Sequence, residues 1–262
     1  MKRFLVEAIG PSPDRLTITG REARYINRVL RMKKGQELII MDGKGQSFAC
    51  TIEKVSYQEV TVRIKGPLPP QASSPVKITL CQALIKAQAM DYVIQKATEL
   101  GVGAIRLFFS ERTVIKIEPA RATTKMKRWR EIMKAACRQC NRADLPNLEP
   151  PVSFEEMVEH VPKNEILKIL LWEDEQNLGL KEIFNRTSPP PHIWTVVGPE
   201  GGFTPDEIDV ARESGFQTVS LGNRILRADT AALSLLSIIQ HEWGDLNLGQ
   251  GLGQGWLHIR SQ

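Results

Sequence analysis

Two short stretches of this 262-residue chain carry residue types that could hold a ligand. The first is Val196-Val197-Gly198-Pro199-Glu200-Gly201-Gly202-Phe203-Thr204-Pro205-Asp206-Glu207, which reads as a strand end, a loop with three glycines and a helix start. Glycine tolerates positive φ and lets backbone approach a ligand closely. Thr204, Pro205 and Glu207 have the spacing of an N-cap, a first helical residue and a capping-box acid. A glycine loop that opens a helix offers free amides to an anionic or hydrogen-bonding group; the same pattern also describes a plain tight turn. Neither Gly-x-Gly-x-x-Gly nor Gly-Lys-Ser/Thr is present here, so a dinucleotide fold or a phosphate-cradling NTPase loop is unsupported. The second stretch, Ser220-Leu221-Gly222-Asn223-Arg224-Ile225-Leu226-Arg227-Ala228-Asp229-Thr230-Ala231, places Arg224 and Arg227 in an apolar setting ahead of an apolar helix.

The elements that must position these stretches alternate strand and helix. Strands are predicted over Val76–Leu84, Ala104–Ser110, Ile166–Trp172, Ile193–Val197 and Phe216–Leu221. Helices are predicted over Ala87–Leu100, Thr123–Arg142, Leu178–Asn185, Pro205–Ser214 and Thr230–Glu242. Such alternation implies an α/β unit with a parallel sheet covered by helices. Both glycine loops follow strands of that sheet, so they fall at its carboxyl edge, where open α/β folds bind ligands.

Upstream, the proline-rich segment 66–75 reads as a linker between a domain over 1–66 and one over 76–248, with a Gly-rich tail over 249–262. Period-two alternation at Phe48–Ile52 and Glu59–Lys65, with turn chemistry at Asp42-Gly43-Lys44-Gly45, marks the first domain as β-rich and barrel-like. Its one helical stretch is Arg21–Met32, with Tyr25, Ile26, Val29 and Leu30 as the apolar side. Arg21, Arg24, Arg28 and Arg31 gather on another side.

The net charge of +5 is unevenly distributed. Residues 1–66 hold 13 Lys and Arg against 7 Asp and Glu, residues 105–142 hold 11 against 3, and residues 143–262 hold 8 against 18. Confined basic segments are the footprint expected for a polyanion, or are solvated helix faces. No apolar run approaches the roughly 18 residues of a membrane span, and the N-terminus lacks a secretory apolar stretch, so a cytoplasmic location is expected. Four cysteines do not make a disulfide scaffold, and Cys137-x-x-Cys140 has no second Cys/His pair to complete a metal site. On helical spacing both sulfurs share the apolar stripe of Met126, Trp129, Met133 and Ala136.

The two glycine loops together resemble the paired signature of the SPOUT methyltransferases, and within them the RsmE family. Further matching pieces are Lys96-Ala97-Thr98-Glu99-Leu100-Gly101-Val102, Ser110-Glu111-Arg112, Arg128-Trp129 with Ala136-Cys137-Arg138-Gln139-Cys140-Asn141-Arg142, and Val29-Leu30-Arg31 with Asp42-Gly43-Lys44-Gly45. The resemblance spans nearly the whole chain, in family order. Asp229 departs from it, standing where the family usually has Glu.

The resemblance implies a trefoil-knotted SPOUT domain with a parallel sheet, preceded by a PUA-like RNA-binding β-barrel. It implies methylation of uridine N3 in 16S ribosomal RNA of the small ribosomal subunit, with S-adenosylmethionine as cofactor, and a homodimer. Leu171, Gly198, Glu200, Gly201, Leu221, Gly222, Ile225 and Leu226 would line the cofactor pocket. Arg227, Asp229 and Arg112 are the catalytic candidates. Asp229 reads equally as the cap of a helix beginning at Thr230, and Arg112 equally as a surface charge. Arg21, Arg24, Arg28, Arg31, Lys33 and Arg128 are the RNA-binding candidates, with Arg121, Lys125 and Arg142 extending the second basic surface. Alternatives are methylation of another RNA base or a ribose hydroxyl, or an RNA-binding protein that transfers nothing.

Overall fold

The computed structural model describes residues 1–6, 14–70, 74–115, 119–162 and 166–246. The Gly-rich tail, residues 71–73 of the expected linker and the side chain of Arg121 lie outside them.

The first sheet comprises β1 (Lys2–Leu5), β2 (Arg15–Thr19), β3 (Glu37–Met41), β4 (Ser47–Val55) and β5 (Glu59–Pro67), in the order β1-β3-β4-β5-β2. β1 pairs with β3 in parallel, and the other pairings are antiparallel. Phe4 on one edge strand and Ile18 on the other belong to a single apolar cluster with Leu38, Cys50 and Val62. The sheet therefore curls around that core while its two edge strands remain unpaired with each other. β5 runs on through Gly66 and Pro67, which pair with Ala49 and Phe48. The expected linker thus loses its first two residues to the sheet, at a bulged end that proline tolerates.

The expected helix over 21–32 is not one continuous α-helix. It is α1 (Gly20–Arg24) followed by one wide π-helical turn, Tyr25–Val29. The wider turn rotates the faces, so Ile26 is buried but Tyr25 and Val29 are exposed, contrary to the apolar side drawn from α-helical spacing. Arg31 then takes a positive φ of 50°, and Met32 is returned to the core.

The second sheet comprises β6 (Lys77–Ala83), β7 (Ala104–Phe109), β8 (Asn147–Ser153), β9 (Ile166–Leu171), β10 (His192–Val197) and β11 (Gln217–Val219). All are parallel, in the order β11-β9-β10-β6-β7-β8. Its helices are α2 (Ala87–Glu99), α3 (Pro119–Cys140), α4 (Phe154–Glu159), α5 (Leu180–Arg186), α6 (Pro205–Glu213) and α7 (Ala228–Glu242). Two apolar clusters flank the sheet. One joins α2, α3, α5 and α7 to the side carrying Ile78 and Leu80; the other joins α4 and α6 to the side carrying Cys81 and Ala83. A sheet covered on both faces explains the nearly continuous apolar runs of its strands.

β8 and α4 have no counterpart in the sequence reading. Pro150 and Pro151 argue against a strand, yet β8 is an edge strand, where the missing amides do no harm. Ser153 caps α4 by accepting from the Glu156 amide, a Ser-x-x-Glu spacing that was legible.

The two sheets meet through a small apolar cluster in which Leu5, Ile39 and Met41 contact Cys137 and Ala143. Arg138 of α3 adds an ion pair to Glu22 of α1 at 2.6 Å. Cys137 is thus buried at this junction, where desolvation pushes its thiol up to about 12. Cys140 is only half-buried, rather than inside the stripe.

Gln240 closes the far end of the second unit. Its Nε2 donates to the Leu100 carbonyl at the end of α2, and its Oε1 accepts from Ser74 Oγ and the Asp245 amide. Gly101, at φ +83°, leaves it room, since a Cβ there would sit 2.8 Å from that Nε2. Replacing the fully buried Gln240 by Leu removes these hydrogen bonds, and equilibrium urea unfolding should report a loss of about 1–3 kcal/mol.

Candidate functional site

β11, β9 and β10 are adjacent and parallel, so the loops that follow them emerge side by side. Register pairs Val196 with Leu170, and Val219 with Leu171. The three loops, 172–179, 198–204 and 220–227, enclose a cavity of about 740 Å³.

The glycine loop 198–204 is both a tight turn and a wall of this cavity. The Gly202 amide donates to the Pro199 carbonyl. Of its three glycines only Gly202 has a positive φ. Gly198 is required by packing within the protein, since a Cβ would meet the Phe203 ring at 2.9 Å; a Cβ on Gly201 would crowd Arg112 Cβ at 3.1 Å. Gly198 and Glu200 line the cavity, whereas Gly201 faces Arg112.

The capping box forms as its spacing predicts. Thr204 Oγ1 accepts from the Glu207 amide, and Glu207 Oε2 accepts from the Thr204 amide at 2.9 Å. That closure engages the Thr204 and Glu207 amides, while those of Gly201, Phe203 and Asp206 donate to no described residue. Glu207 also accepts from Ser110 Oγ and from the Glu111 amide, so one buried carboxylate ties the loop after β7 to the loop after β10. This brings Arg112 across the glycine loop, where its Nη1 donates to the Gly201 carbonyl. Arg112 braces the outside of the loop and does not line the cavity.

The loop 220–227 is the open wall. The Gly222 amide donates to Ser220 Oγ, while the amides of Asn223, Arg224, Ile225 and Leu226 donate to no described residue. Gly222 has φ +104° with open space where a Cβ would project. Ile225 is 89% exposed although it is large and apolar. Leu221, Gly222, Ile225, Leu226 and Arg227 all line the cavity, with Leu171 at the strand end beneath them. Arg227, not Asp229, is the N-cap of α7. Asp229 sits in the first turn, outside the cavity lining, where its Oδ1 accepts from the Thr230 amide at 2.8 Å and so satisfies one of that helix's free donors.

The third wall, 172–179, contributed only Leu171, at its start, to the sequence-level candidates. Trp172, Glu173, Glu175, Asn177 and Leu178 also line the cavity, and Glu182 of α5 lies beside them. The sequence signal was available: an acidic run following a strand of the same parallel sheet must emerge at the same edge. Glu175 anchors this wall. Its Oε2 accepts from Thr218 Oγ1 on β11 and pairs with Arg212 of α6 at 3.3 Å, while its Oε1 accepts from the Asn177 amide. The Arg212 guanidinium also lies 5.1 Å from the Trp172 ring centre. The Thr218 hydroxyl, the Asn177 amide and Arg212 hold the Glu175 carboxyl below the usual carboxylate range, against the opposing effect of burial.

The basic candidates do not form one stripe. Arg21 pairs with Glu131 of α3, Arg24 folds back on the Gly20 carbonyl, and Arg28 leans on Tyr57 of the β4–β5 turn. Arg31 and Lys33 are exposed beyond the π-helical turn. Arg128 is held by Asp91 of α2 through Nε and Nη2, and Arg142 by Asp144. The second basic surface is therefore partly neutralised.

Comparison with known proteins bears on both halves of the chain. A family model described as an RNA methyltransferase domain matches residues 72–240, and one described as an RNA methyltransferase PUA domain matches residues 18–65. The chain is 34% identical over 224 residues to a Synechocystis protein named ribosomal RNA small subunit methyltransferase E, covering 86% of this chain and 72% of that one. A Bacillus subtilis protein of the same name is 30% identical over 250 residues, covering 92% and 97%. Among solved structures, the ribosomal RNA small subunit methyltransferase E of Neisseria gonorrhoeae, bound to S-adenosyl methionine, superposes with a TM-score of 0.86 at 32% identity, covering 94% of this chain and all of that one. A Legionella pneumophila protein in complex with the bound cofactor SAM gives 0.81 at 33% identity, covering 93% and 98%.

Because Glu175 is held below its ordinary value, its contribution to stability is complete above the carboxylate range and is lost as pH falls through its folded value. Thermal melts should show Glu175→Gln well below wild type at neutral pH, with the gap closing as pH drops below about 4. A constant gap would show that the carboxylate's charge does not anchor this loop.

Proposed function

The chain belongs to the RNA methyltransferase family, and from that premise we propose that it methylates N3 of a uridine in 16S ribosomal RNA with S-adenosylmethionine as donor. The observation that carries this reading is the cavity at the shared edge of β9, β10 and β11, with its glycine-rich rim and unpaired amides. The residues present fit that cofactor. An apolar floor at Leu171 and Val197 suits its flat and aliphatic parts, the amides of 223–226 suit its hydrogen-bonding groups, and the carboxylates of Glu173 and Glu182 suit its cationic end.

When bound, S-adenosylmethionine supplies a methyl group activated on a sulfonium. The chain's own task is alignment, which can provide much of the rate of an in-line transfer. Uridine N3 must also lose its proton before it can attack, so a group that favours the imide anion is needed. Arg227, on the cavity wall, is placed to do this with its fixed positive charge. Asp229, two residues along, would receive the proton or orient its carrier. Arg112 is assigned to holding the glycine loop rather than to the reacting atoms. Because N3 is normally paired or stacked, the target base must be unpaired or flipped into the site.

The same reading makes the first sheet an RNA-holding unit over 1–66 and the second the catalytic unit over 76–248. It includes a trefoil knot, supported by residues 220–227, which carry the chain from β11 at the sheet edge past β9 to α7, packed on α2 and β10. A homodimer is supported by Ile238, left exposed on an α7 otherwise buried on several sides. A cytoplasmic place follows from the substrate, and no described helix is long and apolar enough to cross a membrane.

Mass spectrometry of small-subunit RNA from a strain lacking this protein should show loss of one N3-methyluridine; an undiminished level would overturn the assignment. Gly222→Val puts a β-branched side chain at φ +104°, aimed into open space, and calorimetry should show S-adenosylmethionine binding abolished in a protein that still folds. Unchanged binding would refute the pocket.

A further inference from the structure

We propose that Tyr57 and Arg28 form a stacking platform for an unpaired RNA base, separate from the catalytic cavity and built into the first sheet's unit. The inference rests on the RNA-binding reading above and specifies which chemistry of RNA that unit recognises.

The platform joins two elements. Tyr57 is at the tip of the β4–β5 turn, between Ser56 and Gln58, and is 56% exposed. Arg28 is in the π-helical turn; its guanidinium carbon lies 4.5 Å from the Tyr57 ring centre, and its Nη2 donates to Tyr57 Oη. The hydrogen bond draws the guanidinium toward the hydroxyl end of the ring, so an exposure of 56% leaves much of the ring surface open. The pair is also held in place. Asn27 Nδ2 donates to the Ser56 carbonyl at 3.0 Å, and Ser56 is fixed in turn by hydrogen bonds with Glu59. Neither aromatic ring nor guanidinium plane has to be ordered when a base arrives.

Three further observations point to a ligand here. The π-helical turn is a rare conformation that recurs at functional sites, and Arg31 just beyond it adopts the left-handed φ that non-glycine residues avoid. Val29, next to Arg28, is 63% exposed and Tyr25 is exposed as well, so apolar surface is left uncovered at the same turn. Arg24, Arg28, Arg31, Lys33 and Lys34 are exposed around it with no carboxylate partner among the described residues. An exposed aromatic ring held by an arginine, on a turn whose neighbouring cations have no carboxylate partner, is the chemistry of single-stranded nucleic acid: the base stacks and the phosphates meet the cations. A duplex, with its bases already stacked, would use the cations alone.

The test is binding of fluorescently labelled RNA to the full-length protein, using a single-stranded oligoribonucleotide of roughly 12 nucleotides and a duplex of the same length. Tyr57→Ala should weaken the single strand roughly five- to a hundredfold, the range that loss of one base–aromatic stack produces. It should leave duplex binding and the slope of affinity against salt unchanged, because an uncharged ring releases no counterions. Tyr57→Phe, which keeps the ring and loses the hydroxyl, should retain most of the single-strand affinity. Unchanged single-strand binding by Tyr57→Ala, an equal loss on both RNAs, or no single-strand binding by wild type would each overturn the platform. Failure of the enzymatic reading is seen separately, in the N3-methyluridine content of the small-subunit RNA.

Discussion

Everything at the cavity depends on three parallel strands ending together. Because β11, β9 and β10 are hydrogen-bonded neighbours running the same way, their following loops have no choice but to meet. The sheet only brings the loops near one another; their shapes are set by buried polar anchors. Glu207 binds the glycine loop to the end of β7, and Glu175 binds the acidic loop to β11 and α6. A carboxylate can remain buried in this way only because each is met by several donors. The loop 220–227 is the exception. Its amides at 223–226 are left without described partners and its Ile225 faces solvent.

Charge is distributed to match. The second half of the chain is acidic, and its carboxylates include the cavity-lining Glu173, Glu175, Glu182 and Glu200, opposite in sign to the basic surfaces that would hold RNA. Much of the positive charge on α3 is spent inside the molecule: Arg128 meets Asp91, and Arg138 meets Glu22 across the junction of the two sheets. Around the π-helical turn, Arg24, Arg28, Arg31, Lys33 and Lys34 have no carboxylate partner among the described residues.

Several features were legible before any coordinates. Alternation of strand and helix gave the parallel sheet, the Thr204–Glu207 spacing gave the capping box, and the two glycine loops gave two walls of the cavity. Other readings failed for identifiable reasons. Periodicity at α-helical spacing assigned Tyr25 and Val29 to the core, but a π-helical turn changes the angle per residue and turns them outward. Pro150 and Pro151 concealed an edge strand because the rule against proline applies where both strand edges are paired. Residue type alone also did not reveal the contacts that Arg112 and Asp229 make, one donating to the Gly201 carbonyl and the other accepting from the Thr230 amide.

By itself the sequence determined the strands and helices of the parallel sheet other than β8 and α4, and its glycine turns, since those follow from local sterics and from apolar periodicity along the chain. It also determined that both glycine loops fall at the carboxyl edge of that sheet. Only the tertiary structure decided which charged groups are free to act. Glu207, Glu175, Arg112 and Arg128 are ordinary charged residues in sequence, and each is occupied by a partner from 37 to 97 positions away. Long-range pairing of this kind leaves no periodic trace in the chain, because it depends on where the folded elements come to rest beside one another.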